Sequence, residues 1–464
     1  MTRTVAIDTH EGTGVVTSVA YTAGSMALLF EHESEPMRAV LIAVQVQGID
    51  EAAFQASVAE LHRLARTLGL TVAGTVTQRR TSFHPGTVIG SGKLKELQAL
   101  TGTPDAEGAF QAAVDPAGGQ PIKVVLVDHD ISPSQARNLE KATGAEVMDR
   151  TAVILEIFRR HARSRVAKAQ VEIVRLQYMA PRMRETGAGK DRQRGGIGGK
   201  GAGESGLELD RRKIRDRVAE LTGELASLAE EQATQRSRRR DMNRVALVGY
   251  TNAGKSTLMR ALTGSDVLVA DKLFATLDTT VRTLLPESHP RMLVSDTVGF
   301  IDKLPHGLVA SFKSTLDEAL EAGLLAHVVD ASDPGFERQL EVTHEVLADI
   351  GAGEIPRLIL FNKMDRVGDA ASQTATAERL LARWPGSVVL SARRPEDVAK
   401  LRERLIAFFA SDLVAGEVRV PYHKQHLRGE IFASCQVLGE RYQADAVIFD
   451  VRALPAVLER LRAA

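Results

Sequence analysis

The chain carries one cysteine, Cys435, in 464 residues. A single thiol closes no internal disulfide and builds no cysteine zinc site, and such sparse use fits a reducing compartment. The 12 histidines show no metal-ligand spacing; His423 and His426 stand three apart without further ligands. No stretch approaches the ~20 apolar residues of a membrane-spanning helix. Met1 to Phe30 contain no basic stretch followed by an apolar one, so no secretory signal is expected. Net charge is lacking too. Lys+Arg and Asp+Glu are 59 each, so the overall balance names no partner. At 44% hydrophobic and 25% charged, the composition is that of an ordinary globular protein. These absences together lead to the expectation of a cytoplasmic protein without a membrane span; a monomer is expected as well.

What is present centres on one stretch. Asn243 to Val248 is a short apolar run ending at Gly249-Tyr250-Thr251-Asn252-Ala253-Gly254-Lys255-Ser256-Thr257. This is a strand, a glycine-rich turn and a helix start in the spacing of a phosphate-binding loop. Glycines let the backbone wrap a polyphosphate, and the helix behind them presents its positive end to the anion. Lys255 can reach the β- and γ-phosphates, and the Ser256 hydroxyl can hold Mg²⁺. A plain glycine-rich turn before a helix is the competing reading. The strand in front and the spaced patterns downstream disfavour it.

Downstream comes Leu273-Phe274-Ala275-Thr276-Leu277-Asp278-Thr279-Thr280. A threonine here is needed to sense the γ-phosphate and complete the Mg²⁺ shell. Thr276 is the choice, with Thr279 and Thr280 as competitors. Arg291 to Ser295 then reads as a strand running into Asp296-Thr297-Val298-Gly299-Phe300. Asp296 can hold the Mg²⁺ shell, and Gly299 lets a backbone amide approach the γ-phosphate. Leu358 to Phe361 enters Asn362-Lys363-Met364-Asp365, and Val388 to Leu390 enters Ser391-Ala392-Arg393. Guanine offers N1–H and an exocyclic amine, which one carboxylate, Asp365, can accept together. Adenine lacks that donor pair, which argues against an ATP-using RNA remodeller. Asn362 would brace the loop, the Lys363 stem would lie over the base, and a backbone amide near Ser391 would meet guanine O6. Lys255, Thr276 and Gly299 are therefore the expected catalytic positions, with GTP and GDP as ligands. Phe300 stands where many GTPases place a glutamine that orients water, so slow unaided hydrolysis is expected. Asn252 could help hold K⁺ beside the phosphates.

The rest of the chain reads as flanking domains, with boundaries at 1–36 (a flexible extension), 37–149, 150–241, 242–412 and 413–464. In 37–149, strands at Val40–Val46, Val72–Thr77 and Ile122–Val127 alternate with helices at Asp50–Leu68 and after Ser132-Pro133, the pattern of a small α/β domain. Residues 101–120 read as a loop insertion. Gly90-Ser91-Gly92-Lys93 is a decoy. Leu94 follows the lysine where Ser or Thr is required, and Gly86 is one residue too distant. Within 150–241, one long helix is expected from Thr151 to Ala180 and a second from Leu207 to Arg240. Their apolar seams step by threes and fours, so the pair should form an antiparallel hairpin. Between them, 184–206 is rich in Gly, Arg and Lys. Residues 150–240 hold 22 Lys+Arg against 12 Asp+Glu. A basic arm with a glycine-rich tip fits an RNA-backbone binder. The tail reads as a small α+β domain with a final helix near Leu454–Leu461.

Asp149-Arg150-Thr151, Gln170-Val171-Glu172, Gly195-Gly196-Ile197-Gly198, Leu207-Glu208-Leu209-Asp210-Arg211-Arg212, Gly249 to Ser256 and Phe274 to Asp278 together resemble the HflX family of translational GTPases over roughly residues 37 to 464. The resemblance implies GTP and Mg²⁺ binding, with metal ligands at Ser256 and Thr276. It implies docking on the large ribosomal subunit through the amino-terminal domain and the helical loop, and the splitting of stalled or idle ribosomes, often under stress. A GTP-gated RNA-binding or assembly factor is the alternative. The chain departs from the family where Gly203-Glu204-Ser205-Gly206 replaces Gly-Glu-Thr-Gln, in its leader, and in the insertion near 101–120. The fold class expected is thus α/β: a phosphate-loop G domain, an amino-terminal α/β domain with a long helical hairpin, and a small carboxy-terminal α+β domain.

Overall fold

The computed structural model describes residues 37–104, 110–112, 121–183, 206–237, 242–265, 273–274, 276–277, 279–303 and 313–463. The extension 1–36, the glycine-rich segment 184–205, and Ala275 and Asp278 lie outside the described residues.

The first layered unit begins with β1 (Arg38–Val46), α1 (Glu51–Thr67), β2 (Thr71–Arg80) and α2 (Ser91–Thr101). A two-strand antiparallel ribbon comes next, β3 (Gly102–Pro104) with β4 (Phe110–Ala112). The loop insertion expected at 101–120 thus holds a strand pair, while 105–109 and 113–120 lie outside the described residues. The unit closes with β5 (Val124–Val127), α3 (Pro133–Thr143) and β6 (Glu146–Asp149). Its four strands are parallel in the order β2-β1-β5-β6. β1 is buried on both faces, as its unbroken apolar run requires. Asp50 and Ser132 cap α1 and α3, and Ser132 with Gln135 closes a full capping box behind Pro133.

The expected helix from Thr151 to Ala180 is two helices, α4 (Arg150–His161) and α5 (Arg165–Met179). The break is capped. Ser164 Oγ accepts the Ala167 amide and starts a new helix, and Ala162 turns extended. Apolar periodicity runs through the break, which is why it hid there. α6 (Gly206–Ser237) packs on α5 through Ala169, Ile173, Leu176, Ile214 and Leu221. Arg165 meets Glu224 at 2.9 Å and Arg217 meets Glu172 at 3.1 Å, so rising numbers on one helix face falling numbers on the other. The hairpin is antiparallel along the expected seam.

The central sheet is built from β7 (Asn243–Val248), β8 (Thr280–Thr283), β9 (Met292–Asp296), β10 (Leu324–Asp330), β11 (Arg357–Asn362) and β12 (Val388–Val389), in the order β12-β11-β10-β7-β9-β8. All but β8 are parallel. The described helices of this unit are α7 (Lys255–Thr263), α8 (Lys313–Leu320), α9 (Phe336–Asp349), α10 (Ala370–Arg383) and α11 (Pro395–Ala410). The tail forms a three-stranded antiparallel sheet from β13 (Val414–Pro421), β14 (Gln436–Tyr442) and β15 (Ala446–Ala453), with α12 (Leu427–Ser434) and α13 (Pro455–Ala463) against it. No described helix is long and apolar enough to cross a membrane.

Candidate functional site

Open parallel sheets expose their ligand sites beyond the carboxyl ends of the strands. The phosphate-loop, Asp296, Asn362 and Ser391 patterns all arrive there. β7 ends at Gly249, whose φ of +143° belongs to glycine and whose missing Cβ would sit 2.2 Å from the Val328 carbonyl oxygen. Gly254 has φ +100°, and a Cβ there would meet Asn362 Nδ2 at 2.3 Å. The turn between them therefore closes tightly onto the neighbouring strands. α7 starts at Lys255, directly behind Gly254.

Lys255 is buried, and its ammonium donates to the carbonyls of Gly249 and Tyr250, both at 3.0 Å. Burial lowers its pKa to about 8, against the pull of Asp296 and with a push from Lys363. A lysine in this state holds the loop closed and is ready to exchange carbonyls for an anion.

Ser256, Thr276 and Asp296 converge, although 20 residues separate each from the next. Ser256 Oγ lies 2.7 Å from Thr276 Oγ1 and donates to Asp296 Oδ2 at 2.7 Å; Thr276 Oγ1 donates to the same oxygen at 3.1 Å. Asp296 is fully buried, and its Oδ1 has no hydrogen-bond partner among the described residues. Burial raises its pKa, opposed by Lys255 and the two hydroxyls. An orphaned carboxylate oxygen beside two hydroxyls is the hard-oxygen donor set that suits Mg²⁺. Of the competing threonines, Thr280 starts β8 and Thr279 immediately precedes it.

The Gly299 segment lies against the loop. A Cβ on Gly299 would come 2.7 Å from Thr251 Cα and 3.1 Å from Lys255 Nζ. The Thr251 amide donates to the Phe300 carbonyl at 2.7 Å, and the Phe300 amide donates to Gly249 O at 3.1 Å. The Phe300 ring is buried in the core with Tyr250, Phe274 and Val298. Thr297 is buried too and donates to Leu247 O at 2.8 Å. Phe274, with φ +57°, gives its amide to Thr251 Oγ1 at 2.9 Å.

A cleft of roughly 100 Å³ opens beside Gly254, lined by Thr257, Asn362, Lys363, Asp365, Ser391 and Arg393 among others. Asn362 braces it from both sides: Nδ2 donates to Ala253 O at 3.0 Å, and Oδ1 accepts the Ala392 amide at 2.9 Å. Ser391 Oγ donates to Asp365 Oδ1 at 2.6 Å, and Arg393 approaches Asp365 Oδ2 at 3.9 Å. Met364 is buried beneath. Lys363, with φ +63°, donates to Asn252 O at 2.6 Å and pairs with Asp330 at 2.8 Å. The stem of Lys363 thus spans the cleft between its own turn and the phosphate loop.

Sequence reasoning missed Asp330 and Asp397. Asp330 ends β10 and fixes Lys363; Asp397 accepts the Ser391 amide at 2.9 Å. An aspartate at a strand end beside the recognised patterns was the available signal for Asp330. It also missed the contacts of Thr67, His161 and Glu60 with this site. Leu273 donates its amide to Thr67 Oγ1 at 3.2 Å, and His161 Nδ1 donates to Phe274 O at 2.7 Å. Phe158 packs edge-on against Phe274 with ring centres 4.5 Å apart.

Comparison with known proteins agrees with this geometry. Family descriptions match residues 55–159 as "GTP-binding GTPase N-terminal", 161–239 as "GTP-binding GTPase Middle Region" and 244–363 as "50S ribosome-binding GTPase". GTPase HflX of Gluconacetobacter diazotrophicus is 54% identical over 444 residues, 91% of this chain and 97% of that one. The chain belongs to the HflX GTPase family. The HflX of Magnetococcus marinus is 39% identical over 94% of this chain and 96% of its own, and that of Escherichia coli 38% identical over 80% and 84%. Among solved structures, a GTP-binding protein from Sulfolobus solfataricus in complex with GDP matches at 23% identity and a TM-score of 0.42, over 80% of this chain and 100% of that one. As an HflX-family member the chain is a GTPase with a ribosome-binding G domain, and GTP is its substrate.

Proposed function

We propose that this GTPase docks on the large ribosomal subunit and splits stalled or idle ribosomes in the cytoplasm, as a monomer, with ribosome-stimulated GTP hydrolysis. The observation that carries this reading is that the helix leading into the basic pair is tied to the nucleotide site: near the end of α4, which precedes α5 and α6, His161 and Phe158 grip Phe274. A change in the Phe274–Thr276 segment on γ-phosphate loss would be felt at once by α4.

In this reading the amides from Tyr250 to Thr257 cradle the β- and γ-phosphates, and Lys255 leaves its carbonyls to pair with them. Ser256 and Thr276 would hold Mg²⁺ directly and Asp296 through water; the ion supplies positive charge to the phosphate oxygens. Asp365 takes the guanine N1–H and amine, with Asn362, Lys363 and the Ser391–Arg393 turn around the base. Phe274 to Asp278 and Asp296 to Gly299 flank the γ-phosphate. Water attacks the γ-phosphorus, the bond to the β-phosphate oxygen breaks, and GDP and phosphate result. The buried Phe300 ring offers no group to orient that water, so hydrolysis without the ribosome is slow. Asn252 holds K⁺ beside the phosphates, and turnover equal in potassium and sodium buffers removes that part.

The basic segment 184–206 is assigned to contact with ribosomal RNA. Sucrose-gradient sedimentation with ribosomes, using GTP and a non-hydrolysable analogue, tests the whole reading. Splitting should need only GTP binding, and deletion of residues 187–206 should abolish it. Association without splitting under either nucleotide favours a GTP-gated RNA-binding or assembly factor.

A further inference from the structure

Tyr250 stands directly after the first glycine of the phosphate loop, a position whose side chain takes no part in wrapping phosphate. It is buried all the same. Its hydroxyl accepts the Asp302 amide at 2.7 Å and donates to Glu60 Oε1, which comes from α1, 190 residues earlier. Glu60 is buried, and its other oxygen takes the guanidinium of Arg150 at the start of α4. Arg150, also buried, reaches Asp128 Oδ1 at 2.9 Å and the Asp302 carbonyl at 3.4 Å. Both backbone polar groups of Asp302 are therefore held: its amide by Tyr250 and its carbonyl by Arg150. Lys303 adds a contact with Ser57 on α1 at 3.1 Å.

Asp302 lies three residues beyond Gly299, with Phe300 between them laced to the loop by two backbone hydrogen bonds. An amide fixed at 302 and a carbonyl and amide fixed at 300 leave the Gly299 peptide little freedom. Buried charges and phenols are costly to leave without partners. Glu60, Arg150, Tyr250 and Asp302 form a linked set across the junction of the amino-terminal layer and the G domain, in which Arg150 Nη1 and Nη2 are paired and its Nε has no partner among the described residues.

We propose that Tyr250 is a positioning residue: its hydroxyl fixes the Asp302 amide against Glu60 and Arg150, pre-setting the Gly299 peptide for the γ-phosphate and tying that setting to the amino-terminal layer. This rests on the reading that Gly299 faces the γ-phosphate. Removing the hydroxyl leaves the diphosphate cradle intact but obliges the triphosphate to order the Gly299–Asp302 segment itself.

The test compares full-length wild type with Tyr250→Phe, Gly299→Ala and Arg338→Ala. Arg338 touches the Asp302 carboxylate from the solvent side at 3.4 Å and serves as the control. Affinities for GDP and for a non-hydrolysable GTP analogue are measured, together with the single-turnover rate. For Tyr250→Phe, GDP affinity should hold, while analogue affinity and the turnover rate each fall by about two- to tenfold, the weight of one hydrogen bond. Arg338→Ala should change none of the three. Equal losses for both nucleotides, or no loss, overturn the proposal. Gly299→Ala separates the two levels: if it too keeps full analogue affinity, the assignment of Gly299 fails; if it loses affinity while Tyr250→Phe does not, only Tyr250's role fails. Should Tyr250→Phe not fold, amide exchange in the wild type decides. The Asp302 amide must be protected before nucleotide is added, and exchange at the unprotected rate overturns the idea.

Discussion

Asp365→Asn probes base recognition with the smallest change of shape. In the cleft, Asp365 is about a quarter exposed, with the Ser391 hydroxyl on one oxygen and Arg393 beyond the other. A carboxylate there can accept from guanine N1–H and the 2-amino group at once. Asparagine keeps one acceptor and turns a donor toward a donor. Hydrogen bonds to charged groups are worth about 1.5–3 kcal/mol each, so disrupting the pair costs about 3–4 kcal/mol once partial exposure trims the upper figure. That is roughly 10²- to 10³-fold in Kd for GDP. Xanthine carries a carbonyl where guanine carries the amine, so the asparagine amide can donate to it. Calorimetry of GDP, xanthosine diphosphate and ADP against wild type and variant reads both changes. The variant should lose GDP and gain the xanthosine nucleotide, with ADP weak throughout. A variant that binds GDP within about threefold of wild type would refute the assignment of Asp365, because no surviving contact in the cleft accounts for such affinity.

The geometry fixes two further outcomes. Lys255, lowered by burial to about 8, is charged below that pH before nucleotide arrives, and a bound phosphate restores its usual basicity. Above pH 8 each binding event must take up a proton, so GDP affinity stays flat up to there and is about tenfold weaker at pH 9 than at pH 7; a flat titration would contradict it. Leu221→Ala empties a buried place in the α5–α6 seam and should cost about 2–5 kcal/mol locally. Faster amide exchange along α5 and α6, with the G-domain amides unmoved, is the expected readout, and unchanged exchange would rule it out.

Much of this was legible because several of the site patterns begin at the end of a short apolar strand. Gly249, Asp296 and Asn362 all end or immediately succeed strands of one parallel sheet, and an apolar run closed by a glycine or a polar residue announces itself without tertiary information. The hairpin seam was legible for a similar reason, since Ile214, Val218, Leu221 and Leu225 keep helical steps. The break at Ser164 was not, because one helix stops and another starts without losing apolar phase; only the capping hydroxyl marks it. Least legible was the wiring between layers. Glu60 and Arg150 are 90 residues apart, and Tyr250 and Glu60 are 190 apart. Single polar residues at such distances carry no periodicity to connect them.

α5 is fastened at both ends. At its start, Arg165 pairs with Glu224 of α6 at 2.9 Å. At its finish, Tyr178 gives its hydroxyl to Asp149 at 2.7 Å, and Arg182 reaches the same carboxylate at 3.0 Å. Its 15 residues make a rod of about 22 Å. A stiff rod pinned twice transmits displacement by translation, with no cascade of rearrangements needed along its length. Phase then matters as much as length: one alanine inserted in α5 would rotate everything beyond it by about 100° and swing Tyr178 and Arg182 away from Asp149, although no residue near the nucleotide had been touched.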